Sequence, residues 1–318
     1  MANIFDDILD GKLAAGDISA ALIELADKGE TAQDISAAAM AMRARMVRVS
    51  APDHAIDVCG TGGDGQHSLN VSTAVAIVVA ACEVPVAKHG NRAASSKAGG
   101  ADTLEALGLD LDRAADTAEA TLNDLGIAFL FAQKYHPALG PIAPVRKALG
   151  RRTIFNLLGP LCNPAGVTRQ LIGVASPDLI ETYAEAMTSL GFAKALVVSG
   201  QEGLDEISIA GPTQAAWISG SHVEKTVITS EDAGLSPHPL NAIRGGDAAY
   251  NAKALRRLLL GLQETEQDRA YRDAVILNAA AALMVAGEAA SLRSGAEEAA
   301  EAIDKGLANA LLDCWVGF

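Results

Sequence analysis

The chain contains few cysteines and no long apolar run. Its four cysteines are Cys59, Cys82, Cys162 and Cys314, and none has the C-x-x-C spacing of a metal or redox motif. We expect buried thiols in a reducing compartment, which predicts a cytoplasmic protein. The apolar stretch that begins at residue 74 stops at Glu83, far short of the roughly 18 residues of a membrane span, and the acidic N-terminus lacks a signal-peptide pattern. No membrane association is expected.

Basic residues are too few for a nucleic-acid-binding surface. Acidic residues outnumber basic ones 39 to 25, and the formal net charge is −14. Because nucleic acids attract positively charged surfaces, no nucleic-acid partner is expected. A chain of this charge also repels anions at long range, so an anion site has to be built from local positive charge.

The order of apolar segments predicts an α/β fold. Residues 3–48 have a helical pattern, with a capping box at Thr31–Asp34 before a helix that ends in RARMVRV. Strand-like runs then alternate with helical segments: AIDVCG, VPVAKHG, IAFLFA, QLIGVAS and KALVVSG. This alternation predicts a mostly parallel central sheet with crossover helices. After two further strand-like runs, AAWISG and HVEKTVIT, the chain from Asn251 onward is nearly all helical.

The first candidate anion site is the segment 57–73, DVCGTGGDGQHSLNVST. A strand leads into a glycine-rich turn, and Asn-x-Ser-Thr then opens an alanine-rich helix. Glycines allow close backbone approach, convergent N–H groups form an anion nest, and a helix start adds its positive dipole end. Taken alone, such a turn is equally consistent with a simple β–α connection.

A second and a third segment concentrate positive charge. Residues 84–101 contain Lys88, Arg92 and Lys97 but no acidic residue, together with amide and hydroxyl donors. This composition predicts a cradle for a multiply charged anion. No acidic residue occurs between Leu125 and Pro177 either, a stretch that holds several arginines.

A fourth segment, Gly203-Leu-Asp-Glu-Ile207, follows the strand-like run ALVVSG. Adjacent carboxylates at a strand end repel each other unless a cation lies between them or both face water. Oxygen ligands without nearby Cys or His favour Mg²⁺. A solvated acidic turn is the other reading of this pair.

Together these segments resemble the anthranilate phosphoribosyltransferases of tryptophan biosynthesis. The resemblance covers almost the whole chain through GTGGD, NVST, KHGNRAASS, ADTLEALG, RTIFNLLGPLCNP, GLDEIS and GGDAAYNA (245–252). It implies an Mg²⁺-dependent transfer of the phosphoribosyl group of 5-phosphoribosyl 1-pyrophosphate to the amine of anthranilate, releasing pyrophosphate, as the second step from chorismate.

The resemblance also implies an architecture and assembly. A small helical domain would comprise residues 1–50 and about 133–153, and a large α/β domain about 51–132 and 154–318, with the active site in the cleft between them. A homodimer through the helical domain and an association with anthranilate synthase are further expectations. The stretch with Met40, Met42 and Met46 would permit such a dimer contact.

The resemblance assigns a role to individual residues. Phosphoribosyl pyrophosphate would be bound by Gly60, Gly63, Asp64, Ser68, Asn70, Val71, Ser72, Thr73, Lys88, His89, Gly90, Asn91, Arg92, Ala93, Ala94, Ser95, Ser96 and Gly100. Anthranilate would be bound by Gly60, Asn91, His136, Arg146, Gly159 and Pro160. Magnesium would be held by Ser72, Asp205 and Glu206. Which of Arg146, Arg151 and Arg152 pairs with the carboxylate of anthranilate is left open by the sequence.

Three departures from the family pattern and two other functions have to be considered. Gly100 stands where Ser or Ala is usual, Ser199 where His is frequent, and Leu69 where an aromatic residue is frequent. A pyrimidine nucleoside phosphorylase shares the expected fold but carries a large C-terminal extension, for which this chain has no room. A non-enzymatic nucleic-acid-binding relative would need a basic surface.

Overall fold

The computed structural model describes residues 2–93 and 96–318; Ala94 and Ser95, both candidate ligand-binding residues, lie outside the described residues. The strands are β1 (Ile56–Gly60), β2 (Val86–Gly90), β3 (Ile127–Phe131), β4 (Arg169–Gly173), β5 (Lys194–Gly200), β6 (Thr213–Ser219) and β7 (His222–Ile228). The helices up to β4 are α1 (Ala2–Leu9), α2 (Ala15–Lys28), α3 (Ala32–Arg43), α4 (Val71–Ala81), α5 (Gly100–Ala106), α6 (Leu111–Asp116), α7 (Ala118–Leu125), α8 (Ala132–Tyr135) and α9 (Ala143–Leu149). Those after β4 are α10 (Leu179–Ser189), α11 (Ala248–Leu259), α12 (Glu266–Ala286), α13 (Leu292–Asp304) and α14 (Leu307–Gly317).

The described strands form one sheet in the order β3-β2-β1-β4-β5-β6-β7. The first five strands in this order pair in parallel, and β6 and β7 are antiparallel additions at one edge. This confirms the predicted α/β fold with a mostly parallel sheet. The chain winds from β1 toward β3 and then returns to β4 on the other side of β1. The winding direction therefore reverses between β1 and β4, and such a switch point is where open α/β sheets bind ligands.

Successive side chains of the central strands face opposite sides of the sheet and enter different cores. Leu171 and Leu196 pack with α4 and α12, together with the last two helices. Their neighbours Ile172 and Val197 face the other side, where α10 and the N-terminal helices cover the sheet. The small N-terminal helical domain thus shares an apolar core with one face of the large α/β domain.

The third helix begins as the sequence predicts but ends earlier. The side chains and backbone N–H groups of Thr31 and Asp34 form the expected capping box. The helix ends at Arg43 and does not extend through RARMVRV. The reason is tertiary: the N–H of Val47 donates to the carbonyl of Tyr135 at 2.8 Å, which holds this segment in an extended path toward β1.

The segment 133–152, whose sequence has a helical pattern, is only partly helical. A short 3₁₀ turn at Pro137–Leu139 separates α8 from α9, because the prolines in this segment cannot donate the backbone hydrogen bonds of a continuous helix. The segment packs against the N-terminal helices: Arg151 pairs with Asp27 at 2.6 Å, and Ile142 belongs to the same apolar core as Phe5.

All four cysteines are free, but they are not all buried as predicted. Cys59 and Cys162 are buried, Cys82 is half-buried and Cys314 is exposed, because α14 turns Cys314 away from the core. Among the helices that the structure describes, none combines the length and the apolar character needed to cross a membrane.

Candidate active site

The carboxyl ends of β1 and β4 meet at the switch point of the sheet. Gly60 and Gly173 end these strands as partners in register. The turn that carries Asp205 packs directly onto both glycines: a Cβ added at Gly60 would be 2.2 Å from Oδ2 of Asp205, and one at Gly173 would be 1.6 Å from its carbonyl oxygen. Only glycine at both positions allows this carboxylate into the crevice.

The glycine-rich loop after β1 is tied to the same turn. Gly62 and Gly63 have positive φ angles of 71° and 79°, which a side chain would disfavour. The N–H of Gly62 donates to Oδ2 of Asp205 at 2.7 Å, and the side-chain amide of Gln66 donates to the carbonyl of Glu202 at 2.6 Å. The N–H of Gly62 is therefore directed toward the carboxylate of Asp205 at the strand ends.

Asp205 and Glu206 form a pair of partly buried carboxylic acids. Burial, followed by the charge of Asp64, raises the pKa of Asp205 to about 7. Burial and the charge of Asp205 raise the pKa of Glu206 to about 8. The first turn of α4 faces this pair, since the N–H of Ser72 donates to Oε1 of Glu206 at 3.1 Å.

This pair fits a magnesium ion better than it fits a closed metal cage. Over residues 2–93 and 96–318, no group of three His, Cys, Asp or Glu side chains is arranged to hold a metal ion by itself. Mg²⁺ usually takes only one or two carboxylates and completes its octahedron with water and phosphate oxygens. A cation between Asp205 and Glu206 would stabilise the ionised forms that burial and the neighbouring carboxylates disfavour. The donor set therefore suits a cation that arrives with an anionic ligand.

Lys88 lines the floor of the cleft and is almost fully buried. Its side chain is 3% exposed, and Nζ donates to the carbonyl of Val58 at 2.7 Å. The charge of Lys88 lowers the pKa of two buried acids, Asp57 and Glu206, against the larger effect of burial. Asp57 in turn accepts hydrogen bonds from the N–H of His89 and the side-chain amide of Asn163. This network fixes the end of β2 beside β1.

The loop after β2 carries fewer free charges than its sequence indicates. Arg92 is bound by Asp102 at 2.8 Å and by Glu105 at 2.5 Å, so its charge is largely neutralised. Lys97 is exposed at the loop surface. Gly99 packs against the preceding turn, where a Cβ would be 2.5 Å from the backbone nitrogen of Ala93. Of the three predicted basic side chains, only Lys88 is buried at the floor of the cleft.

Residues of the segment 133–160 form the opposite wall of the cleft. The guanidinium carbon of Arg146 lies 5.6 Å from the centre of the Phe155 ring, and burial lowers the pKa of this arginine. No ion-pair partner for Arg146 occurs in the described parts of the chain. Arg151, in contrast, is paired with Asp27 outside the cleft, and Arg152 is exposed. The geometry therefore favours Arg146 as the arginine that faces a ligand.

Two buried histidines connect the end of β2 to this wall. Nδ1 of His89 lies 2.9 Å from the carbonyl oxygen of Gly159, and Nε2 of His89 lies 3.1 Å from Nε2 of His136. A carbonyl only accepts, so His89 carries its proton on Nδ1 and accepts from His136 at Nε2. Burial, with the neighbouring histidine, lowers the pKa of His89 to about 3, and burial lowers that of His136 to about 4. Both rings are therefore neutral at pH 7.

These elements enclose one cleft of about 340 Å³. All predicted site residues within the described chain line it: Gly60, Gly63, Asp64, Ser68, Asn70, Val71, Ser72, Thr73, Lys88, His89, Gly90, Asn91, Arg92, Ala93, Ser96, Gly100, His136, Arg146, Gly159, Pro160, Asp205 and Glu206. Their individual roles stay predictions. Gly100 faces Thr73, whose Oγ1 would be 2.9 Å from an added Cβ, so a side chain here would crowd the start of α4.

The sequence interpretation missed several lining residues and one supporting glycine. Met42, Leu139, Phe155 and Asn156 line the side of the cleft near Arg146. Met42, Leu139 and Phe155 resemble ordinary core residues and Asn156 resembles an ordinary turn residue, so nothing in the sequence distinguishes them. Gly173 had a weak signal, since it lies inside the strand-like run QLIGVAS, where a glycine can mark the close approach of another backbone.

Two family models match the chain. The model described as "Glycosyl transferase family, a/b domain" matches residues 52–309, and the one described as "Glycosyl transferase family, helical bundle domain" matches residues 1–46. The anthranilate phosphoribosyltransferase of Novosphingobium aromaticivorans is 62% identical over 98% of this chain and 93% of its own length. That of Sphingopyxis alaskensis is 60% identical over 100% of this chain and 94% of its own length.

Solved structures of anthranilate phosphoribosyltransferases are also similar to this chain. The anthranilate phosphoribosyltransferase from Thermus thermophilus superposes with a TM-score of 0.92 at 40% identity, covering 99% of this chain and 93% of its own. The Saccharomyces cerevisiae enzyme in complex with PRPP and Mg has a TM-score of 0.90 at 28% identity, covering 99% of this chain and 90% of its own. The fold, the cleft and these similarities together show that the chain belongs to the anthranilate phosphoribosyltransferase family.

Proposed function

We propose that this protein transfers the phosphoribosyl group of 5-phosphoribosyl 1-pyrophosphate (PRPP) to the amine of anthranilate, with release of pyrophosphate, in tryptophan biosynthesis. The observation that carries the proposal is a single cleft with two chemically different walls. One wall presents glycine-loop N–H groups and the acids Asp205 and Glu206, and the other presents Arg146 beside Phe155. The first wall has the groups that a diphosphate requires, and the second has those that an aromatic acid requires.

The wall formed by β1, β2 and the acid pair suits the leaving group. Breaking the bond between the sugar C1 and pyrophosphate places negative charge on the leaving oxygen, so preorganised N–H donors aimed at it lower the barrier. Asp205 and Glu206, with the Ser72 hydroxyl, would hold Mg²⁺, which supplies charge neutralisation for the diphosphate when bound. Lys88 adds positive charge beneath the same strand ends.

The opposite wall suits anthranilate. Arg146 provides an uncommitted guanidinium for the carboxylate, and Phe155 with the Gly159–Pro160 turn lines the space for the ring. The aromatic amine is neutral at pH 7 and offers its lone pair directly, so attack on C1 needs no general base. His136 is neutral and hydrogen-bonded to His89, which suits a lining residue that orients the substrate. Catalysis then rests on orientation and leaving-group stabilisation.

The test is the loss of anthranilate fluorescence on mixing with PRPP, Mg²⁺ and the purified protein. We expect a metal-dependent loss that the Asp205→Asn/Glu206→Gln variant lacks. No loss in a protein that still binds PRPP would mean that the diphosphate site is correct and the acceptor is wrong. Phosphorolysis of thymidine or uridine would instead assign the cleft to a nucleoside phosphorylase.

We also propose the domain division and the assembly that the resemblance implies. The ion pair Arg151–Asp27 and the burial of Ile142 beside Phe5 support grouping residues 1–50 with about 133–153, and 51–132 with 154–318. Met40 is 55% exposed near the end of α3, which supports a homodimer through the helical domain. Four free thiols support a cytoplasmic protein. An association with anthranilate synthase completes this proposal.

A further inference from the structure

The motif GGDAAYNA at 245–252 lies next to the glycine-rich loop, although the proposed function assigns it no role. Leu69 donates its N–H to the carbonyl of Ile243, and Gly245 donates its N–H to the carbonyl of His67, both at 2.8 Å. Gly245 also packs tightly on the loop, since an added Cβ would be 2.6 Å from the carbonyl oxygen of Ser68. The segment 243–246 is therefore a backbone strap across the loop that precedes α4.

Asn251, at the start of α11, extends this strap through Asn70. Asn251 is 2% exposed; its Oδ1 accepts from the N–H of Gly246 at 2.8 Å, and its Nδ2 donates to Oδ1 of Asn70 at 2.9 Å. The same Oδ1 of Asn70 accepts from the hydroxyl of Thr103 at 2.5 Å. Nδ2 of Asn70 donates to the carbonyl of Ala98 at 3.2 Å. Asn70 thus joins the glycine-rich loop to the loop after β2.

The series of hydrogen bonds from Gly246 through Asn251 and Asn70 to Ala98 has only one possible direction. It begins at the backbone N–H of Gly246, which only donates, and ends at the backbone carbonyl of Ala98, which only accepts. Both asparagine amides are therefore fixed in orientation. If one amide turned over, two acceptors or two donors would face each other at the next position. A change at Asn251 is consequently transmitted through Asn70 to Ala98.

Ala98, the last residue of this series of hydrogen bonds, lies in the loop after β2. The carbonyl of Ala98 accepts from the hydroxyl of Ser96 at 3.3 Å as well as from Asn70, so Ser96 and Asn70 are held by one oxygen atom. Asn70 also immediately precedes α4, and its own carbonyl accepts from the buried hydroxyl of Tyr271 at 3.0 Å. Asn251, Thr103 and Tyr271, which do not line the cleft, therefore hold the two loops of this wall at a fixed separation.

We propose that Asn251 and Thr103 are positioning residues that act through Asn70 to hold the two anion-binding loops at the separation required by one diphosphate ligand. Asn251 lies in α11 and binds the strap at Gly246, and Thr103 is fully buried in α5, so each supports Asn70 from a different element. The proposal rests on the proposed function and extends it by assigning the strap to the binding of PRPP. It predicts a selective effect on this substrate, because no hydrogen bond among residues 2–93 and 96–318 links Arg146 to Asn251, Asn70 or Thr103.

The test compares two nearly isosteric pairs of variants in the full-length protein. Asn251→Asp replaces the donor facing Asn70 by an acceptor, and Asn241→Asp adds the same charge at an exposed position just before the strap. Thr103→Val removes the hydroxyl, and Thr103→Ser keeps it. The measurements are the KM for PRPP, the KM for anthranilate, the calorimetric Kd for pyrophosphate with Mg²⁺, and the urea midpoint.

We expect Asn251→Asp and Thr103→Val each to raise the KM for PRPP and the Kd for pyrophosphate by about 10-fold or more, with the KM for anthranilate changed less than about 2-fold. Asn241→Asp and Thr103→Ser should match the wild type. If Asn251→Asp does not fold, Thr103→Val alone decides. Unchanged pyrophosphate binding in a folded variant, or equal weakening of both substrates, would overturn the proposal. Wild-type protein that binds pyrophosphate but never consumes anthranilate would instead refute the proposed function, because the binding comparison does not depend on turnover.

Discussion

The carbonyl oxygen of Asp205 lies so close to Gly173 that a methyl group added at residue 173 would be 1.6 Å from it. The backbone of the acidic turn therefore occupies the space that any side chain at this strand end would fill. Gly173 contributes no chemical group, yet it determines where the carboxylate pair can lie. The position of the acid pair depends on a strand residue 32 positions earlier in the sequence.

Replacing Gly173 should therefore displace the turn that carries Asp205 and Glu206. We expect Gly173→Ala to lower the free energy of unfolding by about 3 kcal/mol or more and to abolish activity, because the turn at 203–206 has to move. Gly211→Ala is the matched control, since nothing lies within 4 Å of its added Cβ and its φ is not positive. Urea denaturation and the fluorescence assay measure the two effects. Gly173→Ala protein with wild-type stability would show that the turn moves at no cost.

Magnesium should stabilise the folded protein through the acid pair. The pKa values of Asp205 and Glu206 are raised mainly by burial, so the ionised pair is unfavourable without a cation. At pH 8, added Mg²⁺ should raise the Tm of the wild type, and more so with pyrophosphate present.

The Asp205→Asn/Glu206→Gln variant provides the comparison. Its Tm without metal should equal or exceed that of the wild type, because two buried charges are gone, and Mg²⁺ should not change it. An equal Mg²⁺ effect on both proteins would place the metal elsewhere.

Arg146 should determine affinity for the acceptor. Loss of its charge-assisted hydrogen bonds in Arg146→Ala should raise the KM for anthranilate by about 10- to 100-fold and change the KM for PRPP little. Arg151→Ala removes an equal charge from an exposed ion pair with Asp27 and should leave both constants near the wild-type values. Steady-state kinetics with each substrate varied in turn would measure this. Equal changes in the KM for anthranilate and the KM for PRPP would show that Arg146 does not act on the anthranilate carboxylate in particular.

The buried histidine pair should make stability depend on pH in a defined direction. Burial lowers the pKa of His89 to about 3, below its ordinary value, so the unfolded chain binds a proton between about pH 6.5 and 3 that the folded chain does not. Its contribution is fully present above pH 6.5 and is lost as the pH falls, by about 1.4 kcal/mol per pH unit. The raised pKa values of Asp205 and Glu206 act in the opposite direction.

The comparison with His89→Asn isolates this effect. The stability difference between wild type and variant, measured by urea denaturation in EDTA, should shrink as the pH falls from 7 to 5. The acid pair is present in both proteins and cancels. A difference that stays constant with pH would show that His89 is already protonated, or equally protonated, in both states.

The sequence predicts the strands and the glycine-containing loops after β1 and β2 well, because local patterns determine them. Strand-like runs before Gly60 and Gly90 have the apolar character and the terminal glycines of buried parallel strands. The capping box at Thr31 is likewise a local motif. These features form from neighbours in sequence, so they can be recognised without the fold.

Features that depend on distant partners were not predicted. Arg92 has the composition of an anion ligand, but Asp102 and Glu105 approach it only when α5 folds beside the loop. The early end of α3 follows from the hydrogen bond between Val47 and Tyr135, which lie 88 positions apart. Such contacts leave no local pattern, so the sequence indicates the residues of the site but not which charges are free.

The most direct test measures pyrophosphate release and anthranilate consumption together in one reaction, with the product identified by mass. We expect one pyrophosphate to be released for each anthranilate consumed, with strict dependence on Mg²⁺. The product should have the mass of anthranilate plus ribose 5-phosphate less water. Pyrophosphate released without loss of anthranilate would contradict the account, because the cleft would then transfer the phosphoribosyl group to water or to another acceptor.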